Sequence, residues 1–218
     1  GEDIILNGSK MGIAFGEHAK TYLISASDES GACDLYFVSK DQKGVELSKT
    51  EYMGLKGMPF SKINLSNCKI NASQKLGGHN YSIDFKSLVD SSRIGMSALA
   101  LGVCQAVLDY VVPYTNERVA FDEPISNRQS VAFMIADMAI ETEALRLMVY
   151  KSAALKDLNV DFHKQASLTH RFASHHGMKI GTDGVQLLGG HGFTHEHPVE
   201  LWYRNLRAVG IFEAGAGV

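Results

Sequence analysis

The sequence predicts an α+β protein: a small antiparallel β domain over residues 1–78, then an antiparallel, four-helix-bundle-like α domain over residues 79–218. Two observations carry that prediction. Before about residue 72, short apolar or β-branched runs alternate with Asn, Asp and Gly turn signals. After about residue 85, apolar residues recur at steps of three and four, the period of a helix with one buried face.

In chain order, Ile4-Ile5-Leu6 runs into Asn7-Gly8, and Thr21 to Ser25 runs into Asp28 to Gly31. Asp34 to Val38 precedes Asp41 to Gly44, and Lys62 to Leu65 precedes Ser66-Asn67. Runs of this length with these turns make antiparallel pairs. Gly77-Gly78 marks the domain boundary. Leu88 to Thr115 is the first predicted helix, which Pro113 should kink or end. The second spans Asn127 to Leu155, with Val131, Met134, Ile135, Met138, Leu145, Met148 and Val149 on one stripe. The third, His163 to Leu188, stops at Gly189-Gly190. Long helices joined by short loops bury such stripes against one another.

Composition narrows the class. Of 218 residues, 45% are hydrophobic and 21% charged, which excludes disordered, collagen-like and disulfide-stapled chains. The apolar stretch Ile94 to Val112 is interrupted by Gly95, Ser97, Gly102, Gln105 and Asp109, so no membrane span is expected. Glu2 and Asp3 stand where a leader peptide would be basic. A net charge of -3 offers no general attraction to nucleic acid. Cys33, Cys68 and Cys104 are odd in number and far apart, as free thiols of a cytoplasmic protein are.

Three stretches carry more chemistry than a plain bundle needs. Glu117 to Ile125, followed by Gln129, sets Arg118 at a helix end beside Phe121 and Pro124, where a guanidinium can hold a pyrophosphate; a plain helix connection would look similar. Gln186 to Phe193 holds Gly189, Gly190 and Gly192, which let a ligand approach the backbone or simply cap a helix. Near the C-terminus, Glu213 sits between Phe212 and Ala214-Gly215, suited to a desolvated general base or to an exposed glutamate near a chain end. His191, His195 and His197 fit no common zinc spacing and have no cysteine nearby, so no metal is expected.

In order, these stretches resemble the acyl-CoA dehydrogenase family. The resemblance rests on Glu117-Arg118-x-x-Phe121-x-x-Pro124-Ile125 with Gln129, then Ala136-Asp137-Met138-Ala139 and Gln186-x-x-Gly189-Gly190-x-Gly192-Phe193. His197-Pro198-Val199-Glu200, Arg204-Asn205, Leu6-Asn7-Gly8-Ser9-Lys10 and Gly54-Leu55-Lys56-Gly57 extend it. It covers the family's middle β domain and C-terminal helical domain; the N-terminal helical domain has no counterpart in this sequence. The resemblance implies an FAD-dependent oxidoreductase of fatty acid metabolism that converts an acyl-CoA to the 2,3-enoyl-CoA, working as a homodimer or homotetramer. It implies Glu213 as the α-proton base, because the family's other base position is Ser92 here. Arg118, Phe121, Gln129, Gln186, Gly189 and Gly190 would hold the FAD diphosphate and adenosine, in part across a subunit interface. Asp90 and Arg93 would contact coenzyme A.

The sequence also departs from the family. Gly12 and Ala14 replace a Trp and a Thr or Ser that meet the flavin ring, and Asp122-Glu123 replaces Gly-Lys after Phe121. Glu213-Ala214-Gly215 replaces Glu-Gly-Thr. The alternative these changes support is a non-catalytic paralogue that keeps the fold for assembly or ligand holding.

Overall fold

The structure, a computed structural model, describes residues 3–78 and 83–213. The chain divides into two compact units, Gly1–Phe85 and Lys86–Val218. The domain boundary expected at residues 78 and 79 abuts residues 79–82, which lie outside the described residues.

The first unit is antiparallel. One sheet has the order β1 (Asp3–Ala14), β5 (Phe60–Asn71), β4 (Val45–Thr50); the second pairs β2 (Thr21–Ser27) with β3 (Cys33–Ser39). Alternation explains which faces turn inward. On β2, Tyr22 and Ile24 are buried while Thr21 and Leu23 are exposed, and the inward residues meet Leu6, Val38, Ile63, Leu65, Cys68 and Ile70 in one core. The β1–β5 register slips twice, between Leu6 and Gly8 and between Lys10 and Ile13. Gly12 lies inside the second slip at φ 70°, a conformation that disfavours any side chain. β4 has no counterpart among the predicted strands; its inward positions alternate with Glu46, Ser48 and Lys49, which reads as a polar loop in sequence.

The second unit holds α1 (Phe85–Glu117), α2 (Gln129–Asp157), α3 (His163–Leu188) and the shorter α4 (Val199–Val209). A two-residue hairpin, β6 (Val119–Ala120) with β7 (Glu123–Pro124), links α1 to α2. Of the two outcomes expected at Pro113, a kink or an end, the helix end does not occur. Pro113 lies in the helix's last turns, and the carbonyl it leaves without a donor belongs to Asp109, which is exposed and open to water. α1 is long enough, and in one 18-residue stretch of mean hydropathy 1.6 apolar enough, to cross a membrane by length and composition alone. The apolarity has another use in this fold, because Ala100, Leu101, Cys104, Val107 and Val111 face the bundle core.

Cross-helix pairs fix the directions. Ser152 bonds Thr169, and Glu141 pairs with His176 and Lys179, so α2 and α3 are antiparallel. Asp90 meets His163 and Tyr114 meets His191, so α1 and α3 run parallel. Gly181 packs on Tyr203 and Leu206 while Gly210 packs on Ser174, which turns α4 back along α3. Met138, Leu145, Ile180, Val199 and Leu206 fill the space between them. All three cysteines are free; burial pushes the Cys104 thiol up to about 12, so it is an inert apolar residue.

Candidate functional site

The helix directions sort the expected site residues into two groups at opposite ends of the bundle. At one end stand Arg118, Phe121, Gln129, Gln186, Gly189 and Gly190, all exposed. The hairpin holds Arg118 in place, since its carbonyl accepts the Ile125 amide at 2.9 Å, four residues before Gln129. The antiparallel pairing of α2 and α3 puts Gln186, near the end of α3, at the end of the bundle where α2 begins. Gly189 leaves α3 at φ 58°, and Tyr114 bonds His191 at 2.8 Å, tying the glycine turn Gly189–Phe193 to α1. His191 and His197 stack at 5.3 Å, and Tyr110 holds His197 at 2.7 Å. Both rings therefore build this turn.

The electrostatics at this end suit an anion. The N-terminus of α2 has no side-chain cap and no acidic residue in its first turn, so no side chain there offsets the positive end of the helix dipole. Glu123 is answered by Arg128 at 3.5 Å, and Arg128 also lies over the Phe121 ring at 4.8 Å. Asp122 stays exposed at φ 68°. Among the described residues, no group of three or more His, Cys, Asp or Glu is placed to hold a metal.

At the other end lie Asp90, Arg93 and Glu213. Asp90 is buried at 1% exposure, with Arg93 Nη1 on one oxygen and His163 Nδ1 on the other, both at 2.7 Å. Arg93 Nε donates to the backbone carbonyl of Glu213 at 3.0 Å. Glu213 is half-buried in the left-handed region at φ 56°. Ala214 and Gly215, which the sequence comparison singled out beside it, lie outside the described residues. Arg93 also borders an open cleft of about 750 Å³ shared with His170, Arg171, Arg207 and Gly210.

Sequence reasoning assigned a role to neither His163 nor His170. Their spacing of seven, two helical turns, was the available signal: it puts both rings on one face of α3. His170 is buried under the turn that follows α4, and its Nε2 has no hydrogen-bond partner. Burial, then the Arg93 charge, hold its pKa below 6.5, while the backbone at Val209 and Phe212 and the Glu213 charge pull the other way. On acidification the unfolded chain therefore takes up this proton first, and stability falls as pH drops through 6.5. Denaturant midpoints measured at about pH 7 and pH 5.5 should fall less in His170→Gln than in the parent protein.

Residues 84–217 match the family model described as the C-terminal domain of acyl-CoA dehydrogenase. The chain belongs to the acyl-CoA dehydrogenase family. An acyl-CoA dehydrogenase of Bacillus subtilis is 34% identical over 96% of this chain and 57% of its own length. The structure of butyryl-CoA dehydrogenase from Megasphaera elsdenii superposes with a TM-score of 0.86 at 31% identity, covering 97% of this chain and 57% of that one. A glutaryl-CoA dehydrogenase from Mycobacterium smegmatis, whose structure is in complex with FADH2, superposes at 0.88 with 27% identity, covering 98% and 55%. The chain thus spans little more than half the length of these acyl-CoA dehydrogenases.

Proposed function

We propose that the protein is an FAD-dependent acyl-CoA dehydrogenase in which Glu213 removes the α-proton of an acyl-CoA thioester. The observation that carries this reading is the Glu213 turn. A glutamate at the family's base position is held through its own carbonyl by Arg93, leaving its carboxylate unused by that bond. Bound FAD would supply the acceptor for the β-hydride. Arg118 and the uncapped N-terminus of α2 would bind its diphosphate, with Gln129, Gln186 and the bare backbone of Gly189 and Gly190 around it. The exposure of all six residues and the pairing of Glu123 fit that anion.

One chain cannot complete such a site. Arg93 and Glu117 stand 24 residues apart on α1, roughly 36 Å at 1.5 Å per residue. That is too far for one flavin dinucleotide to reach both Arg118 and Glu213 of the same copy. A second copy solves this. Phe133, Ile140 and Leu147 recur every seven residues along α2, each more than 60% exposed, with Tyr150 beside them. A two-fold axis through that stripe sets the Arg118 end of one copy beside the Glu213 end of the other. Acyl-CoA is thus the substrate partner and a second copy the protein partner, in a reducing cytoplasmic compartment.

The observation favouring a non-catalytic ligand-holding role is Gly12, whose φ of 70° belongs to a bulged strand without the family's ring-packing Trp. Addition of a saturated acyl-CoA to the flavin-loaded whole protein separates the readings. The dehydrogenase reading predicts loss of the oxidised flavin absorbance and formation of the 2,3-enoyl-CoA. The alternative predicts a flavin that stays oxidised.

A further inference from the structure

We infer that Asp90 and His163 are positioning residues for the Glu213 turn, acting through Arg93, and not direct contacts of the substrate. The inference rests on the reading of Glu213 as the base. Asp90 has no surface to offer a ligand: it is 1% exposed, and its two oxygens are taken by Arg93 and His163 at 2.7 Å each. A buried carboxylate with both oxygens bonded acts as a fixed anchor. It orients the guanidinium, whose Nε then reaches the Glu213 carbonyl at 3.0 Å. His163 completes the anchor from the first turn of α3.

What the clamp holds is a strained residue. Glu213 is not glycine yet sits at φ 56°, a conformation that persists only where its surroundings over-determine it. Here one side of the turn is fixed by the Arg93 bond to the carbonyl. The other rests on His170, buried under Val209 and Phe212. Holding the backbone leaves the carboxylate free of the clamp, as a base must be. Lysine could not replace Arg93, since the clamp uses two directions of one planar fork, Nε to the turn and Nη1 to Asp90.

Two readouts test this. In the 218-residue chain, hydrogen exchange over Gly210–Glu213 should quicken at least tenfold in His163→Ala and Asp90→Asn, with α2 exchange unchanged. His163 is the milder change, its side chain being 25% exposed, and it keeps the test open if Asp90→Asn does not fold. In flavin-loaded whole protein, His163→Ala should lower kcat about tenfold or more and leave KM for acyl-CoA within about twofold. Unchanged exchange overturns the inference, and so does a raised KM with unchanged kcat, the pattern of a direct substrate contact. Glu213→Gln run alongside separates the two failures: if it turns over normally, the base reading fails while the exchange result still judges the clamp.

Discussion

Replacing Glu213 by Gln should slow acyl-CoA-driven flavin reduction by roughly a thousandfold, within the range lost when a positioned general base is removed. The substitution is chosen for what it keeps. Glutamine has the same shape, and the bond from Arg93 goes to the backbone carbonyl, so the turn and its left-handed φ should survive. FAD content should be unchanged, because the proposed diphosphate site stands at the opposite end of the bundle. Stopped-flow absorbance of the loaded variant checks this: a reduction rate within a few-fold of the parent's would remove Glu213 from the mechanism.

The second large effect is expected at Gly192. It is buried in the turn after α3, and a Cβ there would collide with the carbonyl oxygen, carbonyl carbon and Cα of Val185. All three are backbone atoms of α3, so the turn must move. Gly192→Ala should cost about 2–3 kcal/mol, the scale of overpacking in a tight interior. That corresponds to a Tm lower by roughly 5–10 °C for a chain of this size. Displacing the turn also pulls His191 from Tyr114, so retained FAD should fall with stability. Gly190 is the control. Its position opens to free space, and Gly190→Ala should fold within about 0.5 kcal/mol of the parent. Calorimetry on the pair checks the contrast.

Much of the architecture was legible because it depends on local pattern. The third predicted helix has the bounds of α3, since a glycine pair ends it sharply. The first fell two or three residues short at each end, because Phe85-Lys86-Ser87 and Asn116-Glu117 add no apolar period. β4 and α4 were missed: six residues give the period of β4 little room, and α4 is only eleven residues long, although Val199, Trp202, Leu206 and Val209 form a clear apolar stripe along it. The slip at Gly12 depends on pairing with β5, which the sequence of β1 alone does not contain.

The candidate site was legible as a set of residues but not as an arrangement. The family resemblance singled out Arg118 and Gln186, yet only the antiparallel pairing of α2 and α3 shows that they share an end of the bundle. The family resemblance marked Asp90 and Arg93 as a pair, but their three-residue separation says nothing of His163, 73 positions away in sequence, or of the Glu213 carbonyl. Such contacts arise from helix packing, which a linear motif does not encode.

The arrangement yields its own decisive measurement. Chains carrying Arg118→Ala and chains carrying Glu213→Gln should each be inactive alone. Unfolded together and refolded as a mixture, they should recover about a quarter of the parent activity, because half the dimers are mixed and each mixed dimer rebuilds one of two sites. Recovery at that level would show that one copy holds the cofactor for the other's base. A mixed dimer with no activity would place the whole site in a single chain and contradict the account.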